Sequence, residues 1–124
     1  MGLDMWLSRK KRADEIIQSE DVDLVYWRKA NAIHAWFTQG VEEDNCTRIP
    51  VSIEKVKELQ KLCKDVVLGV EDPEDVLPTK AGFFWGDTRM GDYYIEMLKM
   101  TVKDLDEVID DYEEGDEMTY LAWY

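Results

Sequence analysis

The sequence has no apolar run near the roughly 18 residues a helix needs to span a bilayer. It also lacks a secretory signal's long apolar stretch, since "MGLDMWLSRKKR" places its cations after its apolar residues. That start has no Ser or Thr at the sixth position, which a myristoylation signal requires. These absences lead us to expect a cytoplasmic protein. Cysteine is scarce: Cys46 and Cys63 fit no metal or redox spacing. Cys63 falls among apolar helical positions, as a buried free thiol would. One histidine, His34, and two scattered cysteines cannot close a four-ligand zinc site without carboxylates. A glycine-rich phosphate loop, a GxSxG elbow, an HExxH helix and an EF-hand loop are all missing. The glycines of "GFFWGD" are separated by bulky aromatics, which rules out a phosphate cradle. We therefore expect no metal, no cofactor and no established catalytic motif.

Positive charge is the next shortage. Fifteen Lys and Arg stand against 28 Asp and Glu, for a net charge of −13. Nine of the acidic side chains lie in "DLDEVIDDYEEGDE", residues 104–117, and without them the net charge is −4. The opposite extreme is Arg9, Lys10, Lys11 and Arg12. Such a chain is repelled by bare nucleic acid and attracted to basic surfaces.

What is present is enough for a core. The chain has 124 residues, 45% hydrophobic and 11% aromatic, which fits one domain spanning 1–124 that folds without staples. Residues 3–8 alternate, with Leu3, Met5 and Leu7 opposite Asp4, Trp6 and Ser8, and predict a strand. The tail "MTYLAWY" is rich in β-forming aromatics and predicts a last strand, antiparallel to the first. Residues 22–38 predict a helix, because Tyr26, Ala30, Ile33 and Phe37 recur at spacings of four, three and four. Ser52 caps a second helix that Gly69 ends, with Ile53, Val56, Cys63 and Val67 on one face and Leu59, Leu62 and Val66 widening it. Residues 92–113 predict a third, where Ile95, Leu98, Val102, Leu105, Ile109 and Tyr112 make a core-facing stripe or a short coiled-coil seam. The fold class expected is α+β, about three helices packed on a small antiparallel sheet formed by the N- and C-terminal strands.

Two constellations carry candidate chemistry. In "YWRKANAIHAWF", residues 26–37, a helix would align Trp27, Asn31, His34 and Thr38 beside the apolar stripe, with Arg28 and Lys29 flanking. An indole face, an amide, an imidazole and a cation suit a nucleotide-like ligand, and Trp85 of "GFFW" would form an aromatic rim. Equally, Asn31 and His34 would be satisfied by neighbouring backbone and fix how the helix docks against the terminal strands. A lone histidine without a placed nucleophile or orienting carboxylate makes a small hydrolase the least favoured reading. The second constellation is acidic. Asp104, Glu107, Asp110, Asp111 and Glu114 repeat about once per helical turn of 5.4 Å. This row is either a solvated face or a rough likeness of the phosphates on a nucleic-acid strand.

"GLDMWL" at 2–7, "YWRKANAIHAWF" at 26–37, "LPTKAGFFWG" at 77–86 and "DYYIEMLKMTV" at 92–102 together resemble a group of small acidic bacteriophage and prophage proteins with a GLDM-type N-terminus. The resemblance runs through nearly the whole chain in the same order. It implies a phage or mobile-element origin and brings no catalytic residues with it. It also implies a non-catalytic accessory protein that binds a host protein, such as a defence or nucleic-acid-processing protein with a basic surface. The alternative partner is a small nucleotide-like molecule, held at Trp27, Arg28, Asn31, His34 and Trp85. Neither direct nucleic-acid binding nor membrane attachment is expected.

Overall fold

The computed structural model describes residues 2–15, 21–80 and 90–124. The strand expected over 3–8 is present because that alternation suits a sheet with one buried face. Strand β1 spans Asp4–Lys10, and Leu3, Met5 and Leu7 are buried. The tail forms β4, Met118–Trp123, which buries Met118, Tyr120 and Ala122. The two terminal strands pair antiparallel, with Asp4 opposite Trp123 and Arg9 opposite Met118.

Residues 21–28 depart from the expected helix over 22–38. Asp21–Arg28 is strand β2, antiparallel to β1, with Met5 opposite Trp27 and Trp6 opposite Tyr26. Val25 and Trp27 face the core, while Tyr26 and Arg28 face out. That is a period of two, carried by β-branched and aromatic residues. The helix-spaced stripe was satisfied only by coincidence at Tyr26. The chain leaves the strand through Lys29, at φ +53°, and helix α1 occupies only Asn31–Phe37. Within it Ile33 and Phe37 do point into the core.

A short β3, Ile49–Val51, joins the sheet, which among the described residues has four strands in the order β2-β1-β4-β3. Helix α2, Ile53–Val67, begins at Ser52, whose side chain accepts from the Lys55 N–H, and its end turns through Gly69 at φ +75°. A single turn, α3, spans Pro73–Val76 behind an Asp72 cap. Helix α4 is Asp92–Asp111. Its buried side is Tyr94, Met97, Leu98, Thr101, Leu105 and Val108, whereas Ile95, Val102, Ile109 and Tyr112 are only half-buried. The helix is turned by part of a residue step from the purely apolar stripe. Two hydroxyls explain the turn, since both are satisfied internally. Tyr94 donates to the Leu77 carbonyl, and Thr101 donates to the Met97 carbonyl while accepting from the Trp27 indole.

The architecture is α+β. The core joins the inner face of the sheet to α1, α2 and α4, with Phe37 stacked on Tyr120 at 4.2 Å. Among the described residues no helix is long and apolar enough to cross a membrane.

Candidate interaction surface

The residues singled out between 26 and 38 separate once the chain turns at Lys29. Trp27 is buried on β2 and its indole N–H donates to Thr101 Oγ1 at 2.9 Å. Asn31, at the start of α1, clamps the chain at Lys80 from both sides. Its amide donates to the Lys80 carbonyl and its carbonyl accepts from the Lys80 N–H, each at 2.6 Å. His34 has no exposed surface. Its Nδ1 meets the Tyr120 hydroxyl at 2.5 Å and its Nε2 meets Asp44 at 3.1 Å. With a carboxylate at Nε2, the ring donates there and accepts from Tyr120 at Nδ1. Asp44 also accepts from the Tyr124 hydroxyl. The loop that carries Asp44 is held by Asn45, which exchanges two hydrogen bonds with the Tyr124 backbone.

A carboxylate, a histidine and a hydroxyl in line invite comparison with a nucleophilic relay. The electrostatics oppose it. Burial pushes the His34 imidazole below its usual value, with Asp44 pulling the other way. Burial also pushes the Tyr120 phenol well up, away from a reactive phenolate. A substrate cannot reach a ring without exposed surface. The cluster joins α1, the 41–48 loop and the C-terminal strand, and its chemistry is that of a satisfied buried network. Cys63 is likewise inert, its thiol pushed up to about 12 by burial. Among the described residues no group of His, Cys, Asp and Glu is arranged to hold a metal ion. Trp85 lies outside the described residues.

The surface is more informative. The acidic segment divides into two parts. Arg12 reaches Asp116 at 2.6 Å, Glu113 at 3.3 Å and Asp111 at 3.6 Å, and also donates to the Asp111 carbonyl at the end of α4. Arg9 sits 3.8 Å from Asp111, and Lys10 lies 3.8 Å from Glu117. The basic run at the end of β1 thus complements both the local carboxylates and the negative end of the helix dipole. The Arg12 contact holds the Asp116 carboxyl below its usual value. Asp104, Glu107, Asp110 and Glu114 have no ion-pair partner among the described residues. Partial burial and the neighbouring Glu107 push the Asp104 carboxyl up.

A groove of about 300 Å³ lies between the edge at the end of β2 and the first half of α4, lined by Trp27, Arg28, Ala30, Tyr93, Glu96, Met97 and Met100. So Trp27 and Arg28 do share a surface depression, but Asn31 and His34 do not line it. Six large apolar side chains are well exposed among the described residues, and three of them border this edge: Tyr26 at 50%, Tyr93 at 59% and Met100 at 49%. Sequence reasoning missed Tyr93 and Met100 because they lie off the core stripe. Their spacing of seven, on the same flank as Asp104 and Glu107, was the available signal.

No family model, curated protein or solved structure matches the chain.

Proposed function

We propose that this is a non-catalytic binding protein, a bacteriophage accessory protein that docks on a basic surface of a host protein engaged in defence or nucleic-acid processing. The observation that carries the reading is the division of the acidic segment. Asp111, Glu113, Asp116 and Glu117 are used internally by the basic run that ends β1, whereas Asp104, Glu107, Asp110 and Glu114 form no ion pair among the described residues, Lys103 being the cation whose charge acts on Asp104. Like charges at helical spacing cost a few tenths of a kcal/mol per pair, and neither the fold nor the ends of the helix require them there. An incoming cationic surface relieves that repulsion, and the exposed Tyr93 and Met100 beside it supply apolar area of the kind that anchors interfaces. The sealed state of His34 supports binding over chemistry. The sequence resemblance to small acidic phage proteins supports the origin.

The test is a comparative capture from host extract. The wild-type chain and the triple variant Asp104→Lys/Glu107→Lys/Asp110→Lys are immobilised at equal density, after circular dichroism has established equal folding. The reading expects a host protein with a basic surface on the wild type and its loss from the variant. Retention of the same proteins by both would sink it.

A further inference from the structure

The outer edge of β2 has its own chemistry. Among the described residues the sheet order is β2-β1-β4-β3, which makes β2 an outside strand of eight residues. The Lys29 N–H donates to the Leu3 carbonyl at 2.7 Å. By the alternation of an antiparallel ladder, Val25 and Trp27 then bond toward β1, whereas the backbone groups of Tyr26 and Arg28 point away from it. Among the described residues the group that meets this edge is the Tyr93 hydroxyl, which donates to the Arg28 carbonyl at 3.2 Å. The first half of the strand is blunted by Asp21, Asp23 and a register shift opposite Leu7 and Ser8. The second half is regular.

Helix α4 runs antiparallel beside this edge. Tyr93, near its start, meets Arg28, while Asp111, at its end, approaches Arg9, which is opposite Val22. Tyr93, Met100, Asp104 and Glu107 are spaced seven, four and three apart and share one flank. That flank is therefore apolar beside Arg28 and acidic toward Asp23, with the 300 Å³ groove under its apolar half.

We infer that the host segment recognised here is an extended strand that adds antiparallel to β2, apolar beside Tyr93 and Met100 and basic beside Asp104 and Glu107. This deepens the proposed function and rests on it. Main-chain bonds to Tyr26 and Arg28 supply pairing, and an apolar side chain entering the groove and cations over the carboxylates supply selectivity. A second copy of the chain fits less well. An antiparallel α4 from a twin would bring Asp104 and Glu107 beside a flank that carries Glu96, and each copy carries −13.

The probe is the peptide acetyl-Thr-Leu-Thr-Leu-Lys-Thr-Lys-amide, added to the full chain while amide exchange is followed residue by residue. Expected is a roughly tenfold or greater slowing at Tyr26 and Arg28, with little change at Val25 and Trp27, which β1 already protects. Met100→Lys, a change at an exposed position, should abolish the effect. So should N-methylation of the peptide at alternate residues or replacement of its lysines by glutamate. Unchanged exchange at Tyr26 and Arg28 with saturating peptide overturns strand addition, as does equal slowing by the N-methylated form. Slow exchange there in the free protein, with a solution mass of two chains, assigns the edge to a second copy and overturns it too. Should the charge-reversed chain lose a host protein that leaves Tyr26 and Arg28 exchanging freely, docking through α4 stands and strand addition alone falls.

Discussion

Replacing His34 with alanine separates a structural histidine from a functional one. The ring has no exposed surface and bridges Tyr120 and Asp44. Its loss strands the buried Tyr120 hydroxyl without an acceptor, which costs about 1–3 kcal/mol. Asp44 loses one of its donors but keeps Tyr124, for about 1 kcal/mol. The space left beneath Tyr120 and Tyr124 adds roughly 1–2 kcal/mol after relaxation. The total, about 3–6 kcal/mol, is a large part of a typical domain's stability. In a chain of 124 residues it lowers Tm by about 10–20 °C. Thermal unfolding followed by circular dichroism at pH 7 reads it directly. The pH dependence provides a second readout. The folded site holds His34 below its usual value, so the folded state takes up fewer protons than the unfolded one as pH falls below about 6.5. Wild-type stability therefore declines below that pH, and the gap to His34→Ala narrows. A variant that melts within about 2 °C of wild type would refute the structural assignment. It would point to a residue kept for function at no benefit to the fold.

Other consequences follow from the same network and from the ends of α4. Tyr120→Phe retains the stack on Phe37 and removes only the hydroxyl, so it should cost about 1–2 kcal/mol by urea titration, and its effect should not add to that of His34→Ala. Trp27→Phe removes the indole donor to Thr101, and a double-mutant cycle with Thr101→Val should return a coupling near 1 kcal/mol in chemical denaturation; zero coupling would mean the bond contributes nothing. Asp116→Asn should destabilise the chain at pH 7. Asp116 sits below its usual value, so its contribution is present above about pH 4 and is lost as pH falls through the folded value. Melts of variant and wild type should therefore converge as pH falls below the ordinary carboxylate range. Ser52→Ala removes the cap on the Lys55 N–H and should cost about 1 kcal/mol, visible as a lowered Tm.

The terminal strands were legible because alternation at residues 3–8 and the aromatic tail leave one consistent pairing. Ser52 and the apolar face of α2 were legible because caps and helical period agree. Residues 22–28 misled because a short apolar-aromatic run satisfies both periods, and only pairing with β1 decides between them. The α4 stripe was offset because counting apolar residues misses buried hydroxyls whose partners lie on other elements. The partners of His34 were out of reach for the same reason. Asp44 is ten residues away in a loop, and Tyr120 is 86 residues away. The open question of residues 26–37 thus resolves toward docking for Asn31 and His34, while Arg28 faces solvent at an edge the sequence concealed.

A sealed histidine network and an acidic flank on α4 are the central features of this molecule. The most direct measurement is an amide-exchange map of the chain with and without its captured host protein. Slowed exchange confined to the second half of β2 and to the Tyr93–Glu107 flank of α4 is the predicted result. Slowing centred on the Trp36 side of α1 and the start of α2, with β2 and α4 unchanged, would contradict it.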